Sequence, residues 1–362
     1  LAQALRDLGH DVAALRIAPK APPVGEKWRK YRDIPLEETV EGIPVRTLRA
    51  WFPPRMIAME HLDLQVRRKI DREIRRFRPD VVNAHFLIPN GQIAARHRSV
   101  PSVVTAHGSD AYAWPNRRAG LRRAAHAAIA GADAVTAVSE YIAGCVRSIH
   151  DRSVEVIWNG ADERFFFPRE RAAARAAANI PQERLTIAFA GNLLRAKGLF
   201  DLIDAARGLR DLRPLLVLAG AGSDREAIAS AARERDVDLE FRGRLEPANV
   251  GELFGAADIV TLPSHNEGLP SVVCEAMLNG SAIVASTAGG TPEIVSDGKT
   301  GLLVPPRDVN ALTSALRTAA ENAQLRAQLG EHARAFALQN LTWRVSAQGY
   351  ERVFRRVAGA SG

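Results

Sequence analysis

Cysteine is nearly absent: of 362 residues only Cys145 and Cys274 carry a thiol. They lie far apart in apolar surroundings, which excludes a disulfide framework and reads as two reduced, buried thiols. The nine histidines show no His-x3-His or Cys/His ligand spacing, so no metal is expected. No apolar run approaches the roughly 18–20 residues that cross a bilayer. A basic-then-apolar leader is missing too, so the expectation is a cytoplasmic protein. Repeats, coiled-coil heptads and low-complexity tracts are lacking. Aromatic residues amount to 6% and do not interleave with basic ones, which argues against a base-stacking nucleic-acid surface. Lysine is scarce: six of 49 cationic residues, at positions 20, 27, 30, 69, 197 and 299. In a chain that uses arginine almost everywhere, a conspicuously placed lysine is informative.

What is present fits a globular protein of two ordinary domains, with 46% apolar and 25% charged residues. The net charge of +8 is uneven: residues 1–165 hold 26 Lys+Arg against 19 Asp+Glu, and the remainder 23 against 22. A basic first half suits an anionic acceptor or an anionic membrane surface, with Arg67 through Arg78 and Arg117 through Arg123 on helix-like stretches. A solvated helix face is the plainer reading of both clusters. Localisation on the inner face of the plasma membrane, as a peripheral protein, follows as an expectation.

Short apolar runs alternate with helix-like stretches from end to end, which predicts an α/β protein with parallel sheets. Candidate strands in the first half are Asp11–Ile17, Ile43–Leu48, Asp80–His85, Pro101–Ala106, Ala134–Val138 and Val154–Ile157. Between them lie helical patterns at Ile57–Phe77, Gly91–His97, Leu121–Ala130 and Glu140–Ser148. The second half reads as strands Thr186–Ala190, Leu215–Ala219, Leu239–Phe241, Ile259–Leu262, Ala282–Ala285 and Gly301–Val304. Helical patterns follow most of these. An Ala/Arg-rich stretch, Phe165–Arg184, separates the series. Two Rossmann-like domains facing each other across a cleft are expected, 1–165 and 166–341. A C-terminal amphipathic helix in 342–362 is expected to cross back to the first. Ligands belong at the C-terminal ends of the strands.

The opening is irregular. Leu1–Leu8 already has a helical pattern, where a doubly wound domain opens on a strand. The expectation is that the first strand of the N-terminal domain is missing, and that adding an upstream segment stabilises the chain. Equal melting of the two versions would refute this.

Two segments carry the chemistry. Glu267-Gly268-Leu269-Pro270-Ser271-Val272-Val273-Cys274-Glu275 follows the strand Ile259–Leu262 and the turn Pro263-Ser264-His265-Asn266. Pro270 suits a first helical turn, and N–H groups at Gly268, Leu269 and Ser271 would face anionic or hydroxyl oxygens. Two carboxylates eight residues apart are placed to hold two parts of one polar ligand, though capping and solvated charge is the plainer reading of the pair alone. Phe189-Ala190-Gly191-Asn192-Leu193-Leu194-Arg195-Ala196-Lys197-Gly198 runs from a strand through a loop into a helix, where cations suit a diphosphate.

These segments resemble family 4 of the GT-B glycosyltransferases, whose E-x7-E hallmark is met by Glu267 and Glu275 and whose G-x-L…K-G loop is met at 191–198. His107-Gly108-Ser109-Asp110, Trp158-Asn159-Gly160-Ala161-Asp162, Gly289-Gly290-Thr291-Pro292-Glu293 and Asp297-Gly298-Lys299-Thr300-Gly301 occur in the family's order. The chain looks closest to bacterial enzymes of surface polysaccharides, including teichuronic acid-type transferases. The resemblance implies that Lys197, helped by Arg195, neutralises the departing diphosphate. It implies that Glu275 holds the ribose hydroxyls and Glu267 the sugar hydroxyls, beside Asn266, Gly268 and Leu269. Gly191 and Asn192 line the diphosphate. Gly243, Arg244 and Leu245 touch the base, and His107 faces the donor sugar. His85, Asn90 and Asp110 line the acceptor side. Many members carry Arg where this chain has Asn192, which leaves Arg195 to supply a second cation from a shifted position.

A retaining, front-face transfer from a nucleotide-sugar, by default a UDP-sugar, to a glycan or lipid-linked acceptor is implied, with no cofactor and no metal. Asp236-Val237-Asp238 resembles a metal-binding DxD but lies between a helix end and a strand. Rival readings are a nucleotide-sugar hydrolase or epimerase of the same architecture and a catalytically silent partner of another transferase. A third is an NAD-dependent oxidoreductase built on Gly220-Ala221-Gly222 with Glu240, although Arg225 stands where a small residue is wanted.

Overall fold

A computed structural model of the chain describes residues 1–20, 29–51 and 59–359. Lys27, the first two residues of the Ile57–Phe77 helix and the last three of 342–362 fall outside the described residues. The chain folds as two compact units: Leu1–Trp158 together with Ser346–Gly362, and Asn159–Val345.

In the first unit, β1 (Ala14–Pro19) runs parallel to β3 (Ile43–Ala50), with Ala14 opposite Val45. β2 (Glu37–Val40) pairs antiparallel with β3 through a two-residue turn at Glu41 and Gly42, both at positive φ (49° and 79°). This hairpin adds one antiparallel strand to the expected parallel pairing. Its polar, mostly exposed residues gave no apolar pattern to read. A second sheet holds β4 (Val82–His85), β5 (Ser102–Ala106), β6 (Ala134–Ala137) and β7 (Glu155–Val156) in that order, all parallel. Among the described residues β1 and β4 each lie at a sheet edge. The last helix, Trp343–Gly359, lays Tyr350, Val353 and Val357 against Val103, Ala134 and Ile157 of the first unit.

The second unit carries six parallel strands: β8 (Thr186–Ala190), β9 (Leu215–Ala219), β10 (Leu239–Gly243), β11 (Ile259–Leu262), β12 (Ile283–Ser286) and β13 (Leu302–Val304). Their order is β10-β9-β8-β11-β12-β13, the doubly wound arrangement. Every residue of β8, β9, β11 and β12 is buried, as strands covered on both faces require, and this explains their largely apolar runs, in which Thr186, Thr261 and Ser286 each donate the hydroxyl to a backbone carbonyl. The order reverses between β8 and β11, and such sheets bind ligands at the C-terminal ends of the strands at that point. The stretch expected as a connector contains the helix Arg171–Ala177, and an 18-residue helix, Ala323–Asn340, follows the helix Val309–Glu321.

Beneath this sheet lies a buried ion cluster. Arg175, 1% exposed, donates to Asp258 Oδ2 at 2.7 Å, and the same oxygen accepts from the Thr186 N–H at 2.8 Å. Asp258 immediately precedes β11 and Thr186 opens β8, so the pair ties the two switch-point strands at their N-terminal ends.

Candidate functional site

The loops at the C-terminal ends of β8, β11 and β12 are pressed together, backbone on backbone. Gly198 ends the short 3-10 turn Arg195–Lys197 at φ +70°, and a Cβ there would lie 1.9 Å from the Pro263 carbonyl oxygen. Only glycine admits that approach. The His265 N–H then donates to the Ala196 carbonyl (2.9 Å), and the His265 ring pairs with Asp201 (2.7 Å) on the helix that follows Gly198. On the other side, Gly289 sits at φ +57° with its Cβ position 1.8 Å from the Glu267 carbonyl oxygen, and the Gly290 N–H donates to Gly268 (3.1 Å). A side chain at either glycine would push the carboxylate loop away from its neighbours.

This compression brings the expected cation and carboxylate together across 70 residues. Lys197 Nζ donates to Glu267 Oε1 at 2.6 Å, with the side chains 25% and 12% exposed. Glu275 lies on the helix Ser271–Leu278, whose N-terminus no side chain caps. Burial pushes its carboxyl up to about 7, and no hydrogen-bond donor or cation is paired with it among the described residues. A buried acceptor without donors is poised for ligand hydroxyls. Asn266 is half-buried, while Gly268 and Leu269 are buried beneath the loop.

The other donor-side residues are spread more widely. Asn192 is exposed after Gly191. Arg195 is exposed as well: its guanidinium stacks 4.0 Å over the Phe200 ring and its N–H donates to Asp224 (2.6 Å), so its charge is not paired into the Lys197–Glu267 contact. Arg244, exposed, and Leu245, half-buried, follow the edge strand β10, two strands from β8. The Gly220–Gly222 turn is covered by the loop after β8, whose Leu193 N–H donates to Ala221 (3.1 Å) and whose Leu193 carbonyl accepts from Asp224 (3.2 Å). A Cβ at Gly222 would lie 2.1 Å from the Leu193 carbonyl oxygen, so this glycine admits the loop after β8. Among the described residues no three His, Cys, Asp or Glu side chains are grouped to hold a metal ion, and Asp238 pairs with Arg184.

In the first unit the parallel pairing of β4 and β5 sets His85 opposite Thr105, so His107, two residues on, meets the His85 ring: Nδ1 to Nε2 is 2.8 Å. Burial lowers both rings from 6.5 to about 4, so both are neutral at pH 7. Phe86, at φ 73°, packs its ring 4.8 Å from that of His107 and 6.3 Å from that of Trp114. Asn90 donates to the His85 carbonyl at 3.0 Å. Asp110 is fully buried and accepts from the N–H groups of Leu87 (2.8 Å), His107 (3.1 Å) and Gly108 (2.8 Å). Burial raises its carboxyl pKa against those donors. Asp110 therefore holds the loop around His107 from beneath.

Sequence reasoning missed Asn83, Thr105, Asp201 and His265. For His265 the signal was its place two residues before Glu267, on the loop that must meet the Lys197 turn.

Residues 1–165 match the family described as Glycosyltransferase Family 4, and residues 170–336 the one described as Glycosyl transferases group 1. A D-inositol 3-phosphate glycosyltransferase of Saccharomonospora viridis is 30% identical over 319 residues, spanning 78% of this chain and 71% of the relative. The chain belongs to glycosyltransferase family 4. A Bacillus subtilis protein assigned to teichuronic acid biosynthesis, glycosyltransferase TuaC, is 28% identical over 332 residues, covering 87% of the transferase and 82% of that protein. The fold is GT-B. The Anabaena protein HepE, solved with UDP and glucose, superposes with a TM-score of 0.74 at 21% identity, over 95% of the transferase and 99% of HepE. No helix among the described residues is long and apolar enough to cross a membrane.

Proposed function

We propose that this transferase moves a hexose-type sugar, with retention and without a metal, from a nucleoside diphosphate sugar to a glycan or lipid-linked acceptor. The observation that carries the reading is the half-buried Lys197–Glu267 contact, with the unpartnered carboxyl of Glu275 on the helix that follows, at the switch point of the six-stranded sheet. HepE's complex with UDP and glucose supports a uridine donor. The names of the relatives support an acceptor drawn from surface glycans or phosphorylated polyols.

In the resting protein Glu267 is the counter-charge of Lys197. An arriving diphosphate replaces it, which frees the Glu267 carboxylate to accept from sugar hydroxyls. Glu275 accepts from the ribose diol, and those donors favour its ionised form. Breaking the anomeric C–O bond leaves positive charge on the sugar and negative charge on the diphosphate. Lys197 and the N–H groups opening the helix at Ser271 stabilise the latter without reorganising. The acceptor oxygen then bonds to the anomeric carbon on the face the phosphate leaves, and its proton passes to the departing phosphate oxygen. Configuration is retained and no protein nucleophile is consumed. The basic excess of residues 1–165 supports a peripheral site on an anionic membrane surface, where a lipid-linked acceptor would be met.

The test is a donor screen by nucleotide release, with and without membrane extract, alongside Lys197→Ala. Release that needs acceptor and collapses in a folded Lys197→Ala protein supports the reading. Free sugar formed at full rate without acceptor indicates a hydrolase instead.

A further inference from the structure

Behind His85 and His107 the first unit buries a chain of polar side chains made by Asn83, Thr105 and Thr136. Thr105 Oγ1 lies 2.8 Å from Thr136 Oγ1 and donates to Asn83 Oδ1 at 3.2 Å. The amide nitrogen of Asn83 faces His85 Nε2 at 3.3 Å, and His85 Nδ1 faces His107 Nε2 at 2.8 Å. Both threonines are fully buried, and the hydroxyl of Tyr350 lies against them without a well-formed bond of its own.

The direction of each bond follows from which atoms can donate. An amide nitrogen carries only donors, so His85 Nε2 holds a lone pair. A neutral imidazole has one N–H, which places the His85 proton on Nδ1. That proton is donated to His107 Nε2, and His107 in turn must carry its own proton on Nδ1. His107 Nδ1 has no partner among the described residues. Turning the Asn83 amide over would reverse every bond and make His107 Nδ1 an acceptor, so the amide sets the polarity of the whole chain.

We propose that Asn83 and His85 are positioning residues that fix His107 as a neutral hydrogen-bond donor, offering Nδ1–H to an oxygen of the sugar substrate. The inference rests on the transferase reading and narrows it. With Nε2 already accepting and Nδ1 protonated, His107 has no lone pair with which to deprotonate an acceptor hydroxyl. His107 therefore does not serve as the general base of the transfer. His85, with both ring nitrogens engaged inside the protein, shapes the site without touching the acceptor.

The experiment is two-bond 1H–15N correlation on the full chain labelled with 15N-histidine, at pH 7.5, with signals assigned by His85→Gln and His107→Gln. Both rings are expected as Nδ1–H tautomers. In Asn83→Asp a carboxylate accepts where the amide donated. His85 should move to Nε2–H and His107 should follow, with kcat/KM falling about tenfold and nucleotide affinity unchanged. His107 found as Nε2–H or as imidazolium in the unsubstituted protein overturns the proposal, as do Asn83→Asp tautomers identical to those of the parent. The tautomers are read without turnover, so an inactive but correctly polarised protein would count against the transferase reading and leave this assignment standing.

Discussion

Both units place loops at the C-terminal ends of parallel strands, but they fix those loops with different materials. In the second unit a single six-stranded sheet carries the loops, and backbone meets backbone at Gly198 against Pro263 and at Gly289 against Glu267. In the first unit the strands form two sheets, and the two histidines are aligned by side-chain hydrogen bonds through Asn83 and Thr105. Their responses to protons are opposite. Burial keeps His85 and His107 uncharged, while it raises Glu275 toward neutrality of charge at pH 7. Backbone packing holds a site through geometry and tolerates changes of charge. A side-chain chain holds it only while its protons stay in place.

The contrast is broken most strongly at its foundation. Asp258→Ala leaves the buried Arg175 without its carboxylate, and such losses cost about 3–5 kcal/mol. Urea unfolding of the full chain should show that loss, and hydrogen exchange should confine it to the second unit. Acid should act on the other side. Groups whose folded pKa is lowered from 6.5 to about 4 confer full stability above pH 6.5 and lose it as pH falls through 4. Exchange protection in β4 and β5 should therefore drop by up to about 3 kcal/mol for each histidine between those limits, while β8 and β11 hold. Gly198→Ala should cost about 1–3 kcal/mol, since the residue at φ +70° would clash with Pro263. A variant as stable as the parent would contradict the close approach. The smallest change is expected from Glu275→Gln. Nucleotide affinity in the parent should rise as pH climbs through about 7, where this carboxyl ionises. The glutamine variant should bind about tenfold more weakly at pH 8 with a flat profile, as titration calorimetry would show.

The parts of the fold legible in the sequence were those whose physics is local. β8, β9 and β11 stand where their largely apolar runs predict them, because burial on both faces favours apolar residues and admits Thr186 and Thr261 with their hydroxyls bonded to backbone carbonyls. The helix Ala323–Asn340 was unreadable because it buries one large residue, Leu329, with the small Gly330, Ala333 and Ala337, which make no broad apolar stripe. β2 was invisible for the opposite reason: Glu37–Val40 is polar and mostly exposed, and the hairpin rests on the Glu41-Gly42 turn. At the site, the E-x7-E spacing and a rare lysine marked Glu267, Glu275 and Lys197. Nothing local marked Asn83 or Thr105, because their meeting with His85 and His107 depends on the register between β4 and β5. Arg195 looked like a second cation in sequence, and its stacking on Phe200 is a tertiary fact.

Turnover of the folded Lys197→Ala protein, measured as donor nucleotide released in the presence of acceptor, reads the proposed site at its chemical step. Removal of one fixed charge from a leaving diphosphate should slow the reaction by about a hundredfold to a thousandfold, with circular dichroism and melting unchanged. A rate within about twofold of the parent would mean that the half-buried cation beside Glu267 does not meet the departing group.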